Sequence, residues 1–332
     1  MNKKIILKSR PSGELTPEIF KIIEDEIPTI KSGQVLLKTR YISVDPYMRN
    51  RMNNVKSYIE PYEINEPLSG DAIAEVIESK SEKFKIGDLV TGEIPWQEVA
   101  AINEEKIRII KPNEDIQETA YLGVLGLTGL TAYFGLLDIG APKAGETVVI
   151  SGAAGAVGSI AGQIAKIKGC KVVGIAGSDE KVNHLKNEMR FDEGINYKET
   201  KNIRKALMRT SPKGIDIYFD NVGGEISDAV MYLINNDARI IMCGQISLYN
   251  QNRISMGPRL NAQLIIKRAK MQGFIVYDYR NQYESAIQQI KDWIISGKIK
   301  YQENIVEGFD NTIDALLGLF RGNNIGKQIV KV

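Results

Sequence analysis

Between residues 147 and 168 the hydrophobic period of the chain changes. The run TVVI at 147–150 is mostly β-branched, the mark of a buried strand. Gly152, Gly155 and Gly158 follow, and then Val157, Ile160, Ala161, Ile164 and Ile167 recur at helical spacing on one face. Gly169 closes that helix. Strand, glycine turn and helix in this order open a dinucleotide-binding unit. The glycines let backbone N–H groups approach a pyrophosphate, and the helix N-terminus adds partial positive charge. Ser151 and Ser159 could add hydroxyl donors there.

Before this unit, to about residue 120, the pattern is β-rich. QVLLKTRYI at 34–42, AIAEVIE at 72–78 and FKIGDLV at 84–90 read as strands or turn-and-strand pieces, punctuated by Gly, Pro and Asn. These predict a compact, partly closed β domain. Leu130, Tyr133, Phe134 and Leu137 form a helical stripe that Gly140 and Pro142 should stop. After the central unit, short apolar runs at 171–176, 215–220, 238–244 and 271–276 alternate with helical segments. Ser178 is placed to cap the helix that starts at Asp179. Alternation of this kind predicts α/β architecture with a parallel, doubly wound sheet. A helix at 283–296, a helix at 312–320 and a closing strand at 328–332 complete the chain.

Length and composition narrow the choices. The chain has 332 residues, enough for two domains, and 43% of them are hydrophobic. A net charge of +2 argues against a nucleic-acid or membrane-surface partner. The N-terminal stretch lacks the apolar core of a signal peptide, and no segment reads as a membrane span. Cysteines are scarce, only Cys170 and Cys243, which fits a reducing cytoplasm. Residues 1–169 contain neither Cys nor His, so no cysteine–histidine metal site is expected there. The single histidine, His184, is expected on the surface of its helix or in a capping role.

The end of the second strand of the dinucleotide unit points to the cofactor. An acid there would bond the ribose 2′-hydroxyl of NAD and repel a 2′-phosphate. The chain instead reads IAGS at 175–178, followed within one helical turn by Lys181, which favours NADP. Asp179 is the counter-argument, although an acid in the first turn also serves the helix dipole. Five basic residues between 253 and 270, in a segment without acids, read as a solvated surface.

Taken together, SVDPYMR at 43–49, LTGLTAYFGLLDIG at 127–140, SGAAGAVGS at 151–159, GIAGSDEK at 174–181, NYK at 196–198, FDNVGG at 219–224, CGQISLYN at 243–250 and GNNIGK at 322–327 resemble the zinc-free medium-chain dehydrogenase/reductase superfamily. The nearest branch in pattern is the leukotriene B4 dehydrogenase, prostaglandin reductase and alkenal double-bond reductase group. The resemblance implies a GroES-like catalytic domain over residues 1–121, completed by 300–332, and a Rossmann NADP-binding domain over 122–299. It implies that Gly155, Ala156, Val157 and Gly158 face the pyrophosphate, that Lys181 and Tyr197 meet the 2′-phosphate and that Ser178 belongs to the cofactor site. It also implies that Asn221, Cys243, Gly244, Ile246, Ser247, Tyr249, Phe274, Ile275, Val276 and Asn324 line the cofactor. A homodimer is expected as well.

The expected activity is metal-free, NADPH-dependent reduction of the carbon–carbon double bond of an α,β-unsaturated aldehyde or ketone (EC 1.3.1.-). Hydride to the β-carbon leaves negative charge on the carbonyl oxygen. Tyr249 is the first candidate to stabilise that charge and Tyr47 the second. Two alternatives stay open at this stage: an NADPH:quinone reductase, and a non-catalytic NADPH-binding or sensing protein.

Overall fold

Val35 and Leu37, Ala72, Ala74 and Val76, and Ala100 and Ile102 all point inward at period two along three neighbouring strands. The computed structural model describes residues 1–112, 114–253 and 255–332. In chain order its first strands are β1 (Asn2–Leu7), β2 (Phe20–Asp25) and β3 (Gln34–Ser43), followed by a short helix α1 (Met48–Arg51). Then come β4 (Ser69–Ser79), β5 (Leu89–Pro95), β6 (Val99–Asn103) and β7 (Ile107–Ile109). The middle of the chain carries α2 (Leu127–Phe134), β8 (Thr147–Ser151), α3 (Ala156–Ile167), β9 (Lys171–Ala176), α4 (Asp179–Asn187) and β10 (Glu193–Asn196). It continues with α5 (Ile203–Thr210), β11 (Ile215–Asp220), α6 (Gly224–Met231), β12 (Ile234–Met242), α7 (Asn261–Lys267), β13 (Lys270–Gly273) and α8 (Tyr283–Ile295). The tail supplies β14 (Glu303–Glu307), α9 (Thr312–Arg321) and β15 (Lys327–Lys331).

The chain divides into two compact units. The first comprises Met1–Gly123, Glu303–Asn324 and Gln328–Val332; the second comprises Val124–Gln302 and Ile325–Lys327. In the first, the sheet runs β14-β15-β3-β4-β5-β7, with β6 also paired to β3, and β1 and β2 form a separate antiparallel pair. A second apolar cluster fills this unit around Trp96, Met48, Met52, Leu68, Leu316 and Val330. Each such side chain contributes about 1.5–3 kcal/mol when fully buried.

The second unit holds six parallel strands in the order β10-β9-β8-β11-β12-β13. The order reverses direction between β8 and β11, and in open α/β sheets ligands bind outside the strand ends at such a switch point. All five residues of β8 are buried, as the apolar run at 147–150 predicts for a central parallel strand.

Three boundaries differ from the pattern. The stripe through Leu137 is α-helical only to Phe134 and widens into a π-helical turn over Gly135–Gly140. A side chain at Gly135 would meet the rings of Phe274 and Phe219 at 2.7 and 3.0 Å, so tertiary packing reaches into the helix there. β12 starts at Ile234, ahead of the apolar run, and β13 ends at Gly273, where a 3₁₀ segment (Val276–Gln282) soon follows. No helix among the described residues is long and apolar enough to cross a membrane.

Candidate functional site

The turn from β8 into α3 is built by absent side chains. Gly152 has φ +59°, a conformation that favours glycine. A Cβ on Gly158 would lie 2.5 Å from the Gly152 oxygen and 2.7 Å from the Ala153 Cα. Gly158 therefore lets the helix close onto the turn. At Gly155 the same test finds only the Gly152 oxygen, at 3.3 Å. No side chain caps α3, and its first N–H groups lie beyond the helical ladder, as an anion-binding terminus requires. Gly326 packs against this turn, donating its N–H to the Ala154 carbonyl at 2.7 Å and pairing in parallel with Gly155. Asn324, two residues earlier, is partly buried.

At the end of β9 the chain brings Ser178, Lys181 and Tyr197 together. The Ser178 hydroxyl accepts the Lys181 N–H at 3.3 Å, which is the expected cap on α4. Asn196 at the end of β10 pairs with Ala176, so Tyr197 and Lys198 arrive beside Gly177. A Cβ on Gly177 would lie 3.2 Å from a Tyr197 ring carbon and 3.3 Å from the Lys198 Cε. The Asn196 amide donates to the Asp179 carboxylate at 2.9 Å, so that acid already has a partner within the protein. Burial pushes the Lys181 ammonium below its ordinary value, and the like charge of Lys198 adds to that, against Glu180. Lys198 stands in the NYK stretch, but its place here depends on strand pairing.

The switch point is held by a buried carboxylate. Asp220, fully buried at the end of β11, accepts from the hydroxyls of Ser151 and Tyr218, each at 2.9 Å, and from Ser227. It also accepts the N–H groups of Val222 and Gly223. Ser151 in turn accepts the Asn221 N–H at 2.9 Å, and the Asn221 amide donates to the Ser151 carbonyl at 2.8 Å. These bonds fix both strand ends.

The next loop is tied to this one. Cys243 and Gly244 donate their N–H groups to the Asp220 carbonyl, Ile246 donates to Asn221, and Ser247 donates to Val222 through both N–H and hydroxyl. Tyr249 ends the short 3₁₀ turn (Ile246–Leu248), and its phenolic oxygen accepts the Gln245 N–H at 3.2 Å. Desolvation pushes the Cys243 thiol up to about 12, with Asp220 contributing. Phe274, Ile275 and Val276 are partly exposed beyond β13, with Tyr283 donating to the Val276 carbonyl at 2.9 Å.

Tyr47 lies in the first unit, at the start of α1, partly buried against the apolar cluster there. Arg49, two residues on, is buried and donates to Asn53 at 2.8 Å and to the Gly13 carbonyl at 2.9 Å, and Ser43 donates to Asp45. His184 is half-buried rather than fully on the surface. Burial lowers its pKa, against the charges of Glu188 and Glu180. The basic residues at 253, 259, 268 and 270 are exposed. No group of three or more His, Cys, Asp or Glu among the described residues is arranged to hold a metal ion.

Comparison with known proteins places this geometry. Residues 3–110 match the family model for the N-terminal domain of oxidoreductase, and residues 156–292 match the model described as zinc-binding dehydrogenase. A putative NADP-dependent oxidoreductase of Bacillus subtilis is 54% identical, over 99% of this chain and 97% of its own. The NADP(+)-dependent 2-alkenal reductase of Nicotiana tabacum is 43% identical, over 100% of this chain and 97% of its own. Among solved structures, CurA of Vibrio vulnificus in complex with NADPH is 44% identical, covers 99% of both chains and superposes with a TM-score of 0.95. By full-length similarity and by the two units that carry it, the chain belongs to the zinc-free medium-chain dehydrogenase/reductase superfamily, in the group of the alkenal and prostaglandin reductases.

Proposed function

We propose that this protein is an NADPH-dependent reductase of the carbon–carbon double bond in α,β-unsaturated aldehydes and ketones. The observation that carries the reading is similarity along the whole chain to an NADP(+)-dependent 2-alkenal reductase. The residues fit the cofactor. The α3 terminus, with its uncapped N–H groups and the open space at Gly155, suits the pyrophosphate. Ser178, Lys181 and Tyr197, without a free acid at the strand tip, suit a 2′-phosphate.

NADPH, when bound, supplies the hydride. Cys243, Gly244, Ile246 and Ser247 hold the loop that carries Tyr249 through bonds to Asp220, Asn221 and Val222. Phe274, Ile275, Val276 and Asn324 complete the cofactor lining in this reading. The Tyr249 oxygen accepts the Gln245 N–H, and a phenol hydroxyl is also a donor. That donor stabilises the enolate oxygen that develops on the substrate. Tyr47 is the second donor candidate.

The same reading takes the protein as a cytoplasmic homodimer, in keeping with its free cysteines and with the exposed Ile265, Ile266 and Met271 around β13. The test is loss of NADPH absorbance with a panel of alkenals, enones and quinones. Turnover of alkenals and enones supports the proposal. Turnover of quinones alone makes it a quinone reductase, and tight NADPH binding without any turnover makes it a binding protein.

A further inference from the structure

We propose that Lys198 is a second cationic ligand for the 2′-phosphate, and that Lys181 and Lys198 grip it from α4 and from the segment after β10, beside Gly177. The proposal rests on the NADPH reading and names a specificity residue within it.

Three observations converge. Strand pairing brings Lys198 to this point: Asn196 is in register with Ala176, so the chain beyond β10 runs alongside the chain beyond β9. The Lys198 N–H is then held by the Asn196 side-chain oxygen at 3.1 Å, and the same Asn196 donates to Asp179. One asparagine thus engages the nearby acid and fixes the backbone of the lysine. The Lys198 side chain passes over Gly177, with its Cε 3.3 Å from where a Cβ would stand. Among the described residues its ammonium is in no ion pair.

Electrostatics gives the arrangement a reason. Lys181 is partly buried; burial first, and the like charge of Lys198 second, hold its ammonium below the ordinary value, against Glu180. The Lys198 side chain over Gly177 is close enough to Lys181 for like-charge repulsion between them. A phosphate dianion relieves it and draws charge-assisted bonds from both. A ribose 2′-hydroxyl carries no charge and relieves nothing. Lys198 therefore discriminates NADPH from NADH and does not merely add affinity for any dinucleotide.

The test is calorimetric titration of the full-length protein with NADPH, NADH and adenosine 2′,5′-bisphosphate. Wild type is compared with Lys198→Met, Lys198→Arg and Lys181→Met. Lys198 is exposed, so its replacement leaves the fold intact, which a thermal melt checks. Lys198→Met should weaken NADPH and the bisphosphate by about tenfold, leave NADH within about twofold, and flatten the salt dependence of NADPH binding. Lys198→Arg should restore most of the loss. Unchanged or tighter NADPH binding in Lys198→Met, while Lys181→Met loses the preference for NADPH, overturns the role of Lys198 and leaves the NADPH reading standing. Equal affinity of wild type for NADPH and NADH overturns both.

Discussion

The phenolic oxygen of Tyr249 accepts the backbone N–H of Gln245 at 3.2 Å, within a loop whose own N–H groups are bonded to the switch-point residues Asp220, Asn221 and Val222. A phenol hydroxyl donates as well as accepts. Tyr249→Phe should therefore lower kcat for enone reduction while NADPH affinity hardly changes, because the donor acts in the transition state. Loss of an oriented donor costs on the order of a hundredfold in strong cases. A smaller fall is expected here, since a ribose hydroxyl can share the charge. Unchanged kcat, with NADPH binding intact, would leave Tyr249 a packing residue and move the test to Tyr47.

Gly155 and Gly158 should separate binding from stability. Alanine is favoured over glycine in a helix by about 1 kcal/mol. At Gly158 that gain meets backbone atoms at 2.5 and 2.7 Å, and overpacking of this kind costs about 1–3 kcal/mol. Gly158→Ala should lower the denaturation midpoint. Gly155→Ala, with its one contact at 3.3 Å, should melt close to wild type but bind NADPH more weakly. Equal stability of the two variants would contradict the close approach at Gly158.

Glu146 gives a pH dependence. Burial alone would raise its carboxyl. The Arg239 hydrogen bonds, the Lys143 N–H and the Arg239 charge outweigh that and leave it below the usual carboxylate value. Its native pKa is depressed, so the unfolded chain takes the proton first as pH falls. The stabilisation is present above the unfolded value, about 4.3, and is lost as pH falls through the lower native one. Glu146→Gln should thus be less stable than wild type at neutral pH, and the gap should shrink below about pH 4. Denaturant titrations at a series of pH values measure it, and a gap that widens with acid refutes the sign.

Metal independence can be measured directly. Residues 1–169 lack Cys and His, so chelators should leave activity unchanged, and elemental analysis of purified protein should find no stoichiometric zinc. One tightly bound zinc per chain would overturn this.

Local sequence determined much of the molecule, because its signals act over one turn or one strand. The buried run at 147–150, the helix face beginning at Val157, the Ser178 cap and the closing glycines Gly169 and Gly297 each depend on near neighbours, and each is where the pattern places it. The motif series was specific enough to point to the superfamily. Contacts between distant segments were decided only by tertiary structure. Ser151 and Asp220 meet across 69 positions because β8 and β11 are adjacent at the switch point. Lys198 reaches Gly177 only through the register of β10 on β9, and Asp179 is answered by Asn196 for the same reason. Where the helix widens after Phe134, the rings of Phe274 and Phe219 from elsewhere in the chain stand beside Gly135. Periodicity reports which face of a segment is buried; which partner buries it is decided by sheet order and register, and these become definite only when the strands pair.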